Sequence, residues 1–183
     1  ASSWSTVEID ASNTSSYMSK QSIAVDSNNG IHITYGLNGN LTYATCSSSC
    51  TSASSWTNTT VDTGSFNGVG EIALDSNEHL YISYGKGSSF AASKLAYATC
   101  SSSCTSSSSW TNTTFNTTAG TERGLALDSN DRVHISYHTS STDKLLRYLA
   151  IEPSSIVYGY SISPALPAGL SLEISTGEIS GTP

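Results

Sequence analysis

Cysteine in this chain occurs as two C-x-x-x-C pairs, Cys46/Cys50 and Cys100/Cys104. Four thiolates arranged as a tetrahedron would hold zinc. Two thiols four residues apart form a disulfide once a turn brings their α-carbons to about 5–6 Å. The pairs stand at equivalent places in neighbouring repeats, which an array holds apart. We therefore favour two local disulfides, and with them an oxidising, extracellular setting.

The other reactive types recur in the same way. Asp26, Asp75 and Asp128 could serve as acid–base carboxylates or bind calcium, but alternating oxygen ligands with a distal Glu are not met. Each instead opens an Asp-Ser-Asn turn, where a carboxylate accepts backbone N–H groups. His32, Tyr81 and His134 share one repeated position. As ligands for a metal or a sugar they would give one contact per repeat, which suits multivalent glycan binding. The alternative, which we favour, is an aromatic packing position that takes His or Tyr alike. Trp4, Trp56 and Trp110 could stack on sugars, yet a Trp opening a strand in every repeat is expected to anchor a core.

Arg123, Arg132 and Arg147 could together hold a carboxylate, but they fall at non-equivalent places and no nucleophile accompanies them. Glu71 and Glu122 are the carboxylates that a hydrolytic site would need to draw together. Neither G-x-S-x-G nor H-E-x-x-H is present. The expectation is a protein without catalytic residues, metal or cofactor. Sequons at Asn13, Asn40, Asn58, Asn112 and Asn116 agree with secretion and are candidate glycosylation sites.

The elements that must position these residues follow from the repeat. LTYATCSSSCTSASSWTNTT at 41–60 returns as LAYATCSSSCTSSSSWTNTT at 95–114. Upstream, IAVDSN at 23–28 returns as IALDSN at 72–77 and LALDSN at 125–130. A self-similarity of about fifty residues marks an array of one supersecondary unit. Each unit has four strand-like runs: one ending at the Asp, one with alternating faces such as Val133-His134-Ile135-Ser136-Tyr137, one like Leu41–Thr45, and one beginning at the Trp. The lone run from Trp4 to Ile9 reads as a fourth strand, and the third unit ends after a third strand at Leu146 to Ala150. Counted from each Trp, the repeats cover 4–55, 56–109 and 110–151.

Composition narrows the class. The 183 residues include 39 Ser and 22 Thr but only 11% charged residues, which fits the outward faces and loops of strands better than a solvated polyelectrolyte. With a net charge of −7 and seven scattered basic residues, no nucleic-acid footprint exists. No apolar run reaches the ~20 residues of a membrane span. The chain opens on Ala1, so a signal peptide is expected to be absent or already removed.

The pattern IALDSNxxxHISY … LxYAT … SSWT resembles the blade repeats of large secreted prokaryotic β-propeller surface proteins. Residues 164–172 (PALPAGLSL) and 176–183 (TGEISGTP) resemble Ig-like, cadherin-like modules of such proteins, here truncated. The resemblance implies an all-β fold: a propeller-type array of three four-stranded blades over residues 1–151, plus a partial Ig-like segment over 152–183. The first strand could complete the last blade. The implied location is secreted or cell surface. The function expected is a non-enzymatic structural or adhesive protein, or a filament or sheath component, that self-associates through strand edges. A multivalent glycan-binding propeller is the first alternative and a glycoside hydrolase propeller fragment the second. Expected partners are further copies or further repeats, and glycans.

Overall fold

A computed structural model describes residues 4–10, 19–64, 69–87, 93–118, 123–139, 145–151, 166, 168–172 and 179–182. The chain divides into two compact units, Ala1–Ala150 and Ile151–Pro183. The fold is all-β, and its described strands form antiparallel sheets.

In the first unit the strands are β1 (Ser19–Val25), β2 (Ile31–Leu37), β3 (Asn40–Cys46) and β4 (Thr57–Asp62), then β5 (Val69–Leu74), β6 (Leu80–Lys86), β7 (Lys94–Cys100) and β8 (Thr111–Thr118). They are followed by β9 (Arg123–Leu127), β10 (Val133–His138) and β11 (Leu146–Ile151). The first eight make two four-stranded meanders in chain order, and β9-β10-β11 make a three-stranded sheet. We number them sheets 1, 2 and 3. The first strands of successive sheets lie side by side, β1 against β5 and β5 against β9.

Each β1–β2-type hairpin is set by the Asp turn. Asp26 N donates to Gly30 O at 3.0 Å and Asn29 N to Asp26 O at 3.1 Å, and the same pair of bonds closes the turns at Asp75 and Asp128. The turn requires a left-handed residue, supplied by Asn29, Glu78 and Asp131 at φ 66°, 65° and 59°. Asn and Asp enter that region readily; Glu does so less willingly, and its side chain has a second task described below.

Alternation along the strands builds the core. Tyr35, Leu41, Tyr43 and Val61 of sheet 1 and Leu80, Ile82, Tyr84, Leu95 and Trp110 of sheet 2 are buried, with the small Ala44, Ala96 and Ala98 between the large side chains. Burying a side chain of this size removes on the order of 1.5–3 kcal/mol of unfavourable hydration, so the contact between sheets 1 and 2 is the stable centre of this unit.

The run at residues 4–10 differs from the expected strand. It is placed as a fourth strand but pairs with no strand among the described residues. Asn58 Nδ2 donates to Ile9 O at 2.9 Å and Tyr35 Oη to Asp10 Oδ2 at 2.6 Å. One sheet further on, Asn112 Nδ2 donates to Val61 O at 3.0 Å and Tyr84 Oη to Asp62 Oδ2 at 2.6 Å. Residues 4–10 thus stand against sheet 1 as β4 stands against sheet 2. A strand needs a laddered neighbour, and among the described residues none stands beside this run.

In the second unit β12 (Leu170–Leu172) pairs antiparallel with β13 (Ile179–Gly181), Ser171 opposite Ser180. Gly181 has φ +114°, and a Cβ there would strike the carbonyl oxygen of Gly169, so the hairpin needs glycine at that position.

Candidate functional site

The repeated Asp, His and Tyr residues do meet. Asp26 Oδ1 accepts the N–H groups of Asn28 and Gly30, while Oδ2 faces His32 Nε2 at 3.2 Å. On the far side of the ring, His32 Nδ1 lies 2.7 Å from Tyr43 Oη. In the third sheet Asp128, His134 and Tyr148 repeat the chain of contacts, with His134 Nδ1 2.7 Å from Tyr148 Oη. In the second, Tyr81 replaces the histidine and donates directly to Asp75 Oδ2 at 3.0 Å. Each of these side chains also stacks on the aromatic of the next strand: His32 on Tyr43, Tyr81 on Tyr97 and His134 on Tyr148.

A carboxylate–imidazole–hydroxyl relay is the outline of a base-activated nucleophile. The repeat dissolves that reading. Tyr81 cannot relay a proton as imidazole does, yet its sheet keeps the same geometry. The carboxylate, moreover, is committed to its own turn. Burial opposes ionisation of Asp26 and Asp75, but the backbone N–H groups of the turn, with the His or Tyr partner, outweigh it and hold both carboxyls below their usual range. Asp128 is held lower in the same way, with Arg132 Nε adding a bond at 2.7 Å.

Turn residues that the repeat pattern passes over tie the sheets together. Ser27 N donates to Glu78 Oε1 at 3.0 Å, and Ser76 N and Oγ donate to Asp131 at 2.9 and 2.6 Å. The left-handed residues of the second and third turns thus reach back to the serine of the preceding one. Charged residues at a position that Asn serves equally well were the available signal.

The arginines take separate places. Arg132 bonds Asp128, and Arg147 is exposed on β11. Arg123 is buried and donates to Ser93 Oγ at 3.3 Å, and burial pulls its guanidinium down to about 10. Gly85 leaves it room: a Cβ there would collide with the Arg123 guanidinium and Ser93 Oγ. Arg123, Lys20, Glu71, Ser136 and His138 border an open cleft of about 480 Å³ on the side of the first strands. Glu71 Oε2 accepts from Leu125 N at 3.2 Å, so this carboxylate also ties one sheet to the next. Glu122 lies outside the described residues.

Cys46–Cys50 and Cys100–Cys104 are disulfides with α-carbons 5.7 and 5.8 Å apart. Behind each, a Trp indole donates to the second cysteine's carbonyl, Trp56 Nε1 to Cys50 O at 3.0 Å and Trp110 Nε1 to Cys104 O at 2.9 Å. Among the described residues no group of three or more His, Cys, Asp or Glu could hold a metal ion, and no helix is long and apolar enough to cross a membrane. Of the sequons, Asn58 and Asn112 spend Nδ2 on the carbonyls named above, and Asn40 accepts from Gly64 N through Oδ1. Asn116 lies on β8, and Asn13 is outside the described residues.

The tryptophans, expected to anchor a core, differ from one another. Trp110 is buried against Tyr43 of the preceding sheet, and Trp4 is 94% exposed. The same contrast runs through both end faces. Leu146 on β11 is 83% exposed and Tyr148 is exposed, whereas their counterparts Leu41 and Tyr43 are buried. On β1, Ile23 is 63% exposed, but Ile72 at the same place on β5 is 6% exposed.

No family model matches the chain, and no curated protein matches it. Among solved structures, a fucose lectin from Kordia zhangzhouensis in complex with methyl-fucoside is similar at 18% identity and a TM-score of 0.49, over 74% of this chain and 94% of the lectin. An alpha-L-arabinofuranosidase from Clostridium thermocellum is similar at 14% identity and a TM-score of 0.47, over 69% of this chain and 43% of that enzyme.

Proposed function

We propose that this chain is a non-enzymatic extracellular structural or adhesive protein whose sheets are blades of a propeller-type array and which self-associates through its end sheets. The observation that carries the reading is the exposure contrast: Leu146, Tyr148 and Ile23 lie open at positions whose counterparts are buried between sheets. Two disulfides support the extracellular setting, and the β12–β13 hairpin supports an Ig-like segment after the array. Sedimentation of the chain across a hundredfold concentration range tests the function. Reversible association that weakens on Ile23→Lys is the expected result, and a concentration-independent monomer overturns it.

Glycan binding is the second reading, favoured by the cleft beside Lys20, Arg123 and His138. His138 Nδ1 donates to Thr139 O at 2.7 Å, which leaves Nε2 as the ring's second polar atom. A cleft bordered by Lys20, Glu71, Ser136 and His138 offers both donors and acceptors, which suits the hydroxyls of a sugar. Binding on a glycan array that is lost with Lys20→Ala supports this reading, and a blank array removes it. A hydrolytic role would need a second carboxylate beside Glu71.

A further inference from the structure

We propose that the occupant of both open faces is a second copy of this chain, and that residues 4–10 of each copy complete sheet 3 of the other by pairing with β11. This rests on the self-association reading and deepens it by naming the partner and the register. The template for the pairing is the outer strand pair of sheet 1. There β3 pairs with β4 with Leu41 opposite Asp62, Thr42 opposite Thr60, Tyr43 opposite Thr59 and Ala44 opposite Asn58. Aligning Leu146 with Leu41 and Trp4 with Trp56 puts Leu146 opposite Asp10, Arg147 opposite Glu8 and Tyr148 opposite Val7.

That register makes a prediction about charge which the residues meet. The pair at this place is Thr42 with Thr60 in sheet 1 and Ala96 with Thr114 in sheet 2, both neutral. In the completed sheet 3 both members change together, to Arg147 and Glu8. Both are exposed in the single chain, and opposite charges directly across a strand pair attract.

The aromatic pairs follow the junction between sheets 1 and 2. Trp110 of sheet 2 covers Tyr43 of sheet 1 with ring centroids 5.3 Å apart. Carried around the ring, Trp56 of the second copy covers Tyr148, and its Trp4 covers Tyr97. The exposed Trp4 and Tyr148 thereby both gain the partners that their counterparts already have. At the turns, Asn29 of the second copy takes the place of Glu78 and Asp131, and its Oδ1 can accept from Ser129 N. Two ties lack a successor: Gly124 stands where Ser22 and Glu71 offer oxygens to Ile72 N and Leu125 N, and Val7 stands where Thr59 Oγ1 donates to Thr105 O.

Residues 4–10 are already bound to sheet 1 through Asn58 and Tyr35, so the second copy brings the strand in place and no segment has to unfold. Two copies of three blades make six, within the four to eight of closed propellers. Both junctions are then related by one two-fold axis.

Charge reversal tests the register. Sedimentation equilibrium is measured on the full chain and on Glu8→Arg, Arg147→Glu and the double variant, with unfolding midpoints confirming that each protomer still folds. The parent is expected to be a dimer. Each single reversal sets like charges across both junctions and should weaken dimerisation about tenfold, and the double reversal should restore it to within about threefold of the parent. Open-ended oligomers, or a dimer indifferent to the reversals or not restored by the double variant, overturn this inference and leave self-association standing. A monomer throughout overturns both.

Discussion

The ring of Trp110 meets the ring of Tyr43 edge-on, with centroids 5.3 Å apart and planes inclined at 61°. The two residues belong to different sheets: Trp110 leads β8, and Tyr43 lies in β3. Because Trp110 Nε1 also donates to Cys104 O, the indole is fixed at its polar end by its own loop and at its apolar face by the preceding sheet. A single side chain thus joins the disulfide loop, its own strand and the neighbouring sheet.

Trp110→Ala should therefore cost about 3–5 kcal/mol of unfolding free energy, the range for emptying an aromatic site in a packed core. Trp4→Ala, measured on the protomer at high dilution, should stay within about 0.5 kcal/mol, as exposed substitutions do. Urea unfolding followed by far-ultraviolet circular dichroism reads both. Equal costs would mean that the repeated Trp serves its own sheet and not the one before it.

The turn carboxylates make a sharper case. Asp75 accepts from Asn77 N and His79 N at 2.8 Å each, and from His79 Nδ1 and Tyr81 Oη at 2.8 and 3.0 Å. Asp75→Ala strands several donors and should cost about 1–3 kcal/mol. Asp75→Asn keeps one amide oxygen for the two backbone donors and should cost less. If Asp75→Ala cost no more than an exposed substitution, the turn would not depend on its carboxylate.

The pH dependence has two limbs. Asp26, Asp75 and Asp128 are held below their usual range in the folded chain, so their contribution is complete above pH ~4 and is lost as pH falls through the depressed folded values. Tyr35 and Tyr84 are pushed upward, first by burial and then by the carboxylates of Asp10 and Asp62 to which they donate; Tyr81 is raised in the same way by Asp75. Their contribution is complete below pH ~10 and is lost as pH rises beyond it. Thermal unfolding should give a plateau between these limits with a fall on both sides. In Tyr84→Phe the alkaline fall should be shallower.

Much of this was legible because the chain states its unit more than once. The Asp-Ser-Asn turns, the alternation in β2, β6 and β10 and the two cysteine pairs are local patterns, and local chemistry decides them. Contacts between units were not legible. A period says that a unit recurs, but not which face of one meets the next. That is why the pattern marks Trp110 as a core anchor but does not say that it covers Tyr43 of the preceding sheet. Glu78 was hidden for a related reason: its carboxylate serves Ser27, 51 positions away, and no local pattern records such a bond. The run at 4–10 has strand-forming residues, but a strand is a property of a pair, and among the described residues it has no ladder partner.

The disulfides separate loop order from sheet stability. Each joins cysteines four positions apart, and closing so short a loop removes little entropy from the unfolded chain. The chain-entropy relation gives about 2 kcal/mol for each. Cys100→Ser with Cys104→Ser should lower the unfolding free energy by about that amount and leave the four-stranded sheet in place, because β7 and β8 are also laddered by their backbones. The loop itself should loosen. Trp110 Nε1 donates to Cys104 O, so freeing that carbonyl should raise amide hydrogen exchange at residues 101–110 well before exchange rises in β6. Global unfolding on loss of this one bridge would show instead that the sheet depends on the loop, and that the strand ladder alone cannot hold Trp110 against Tyr43.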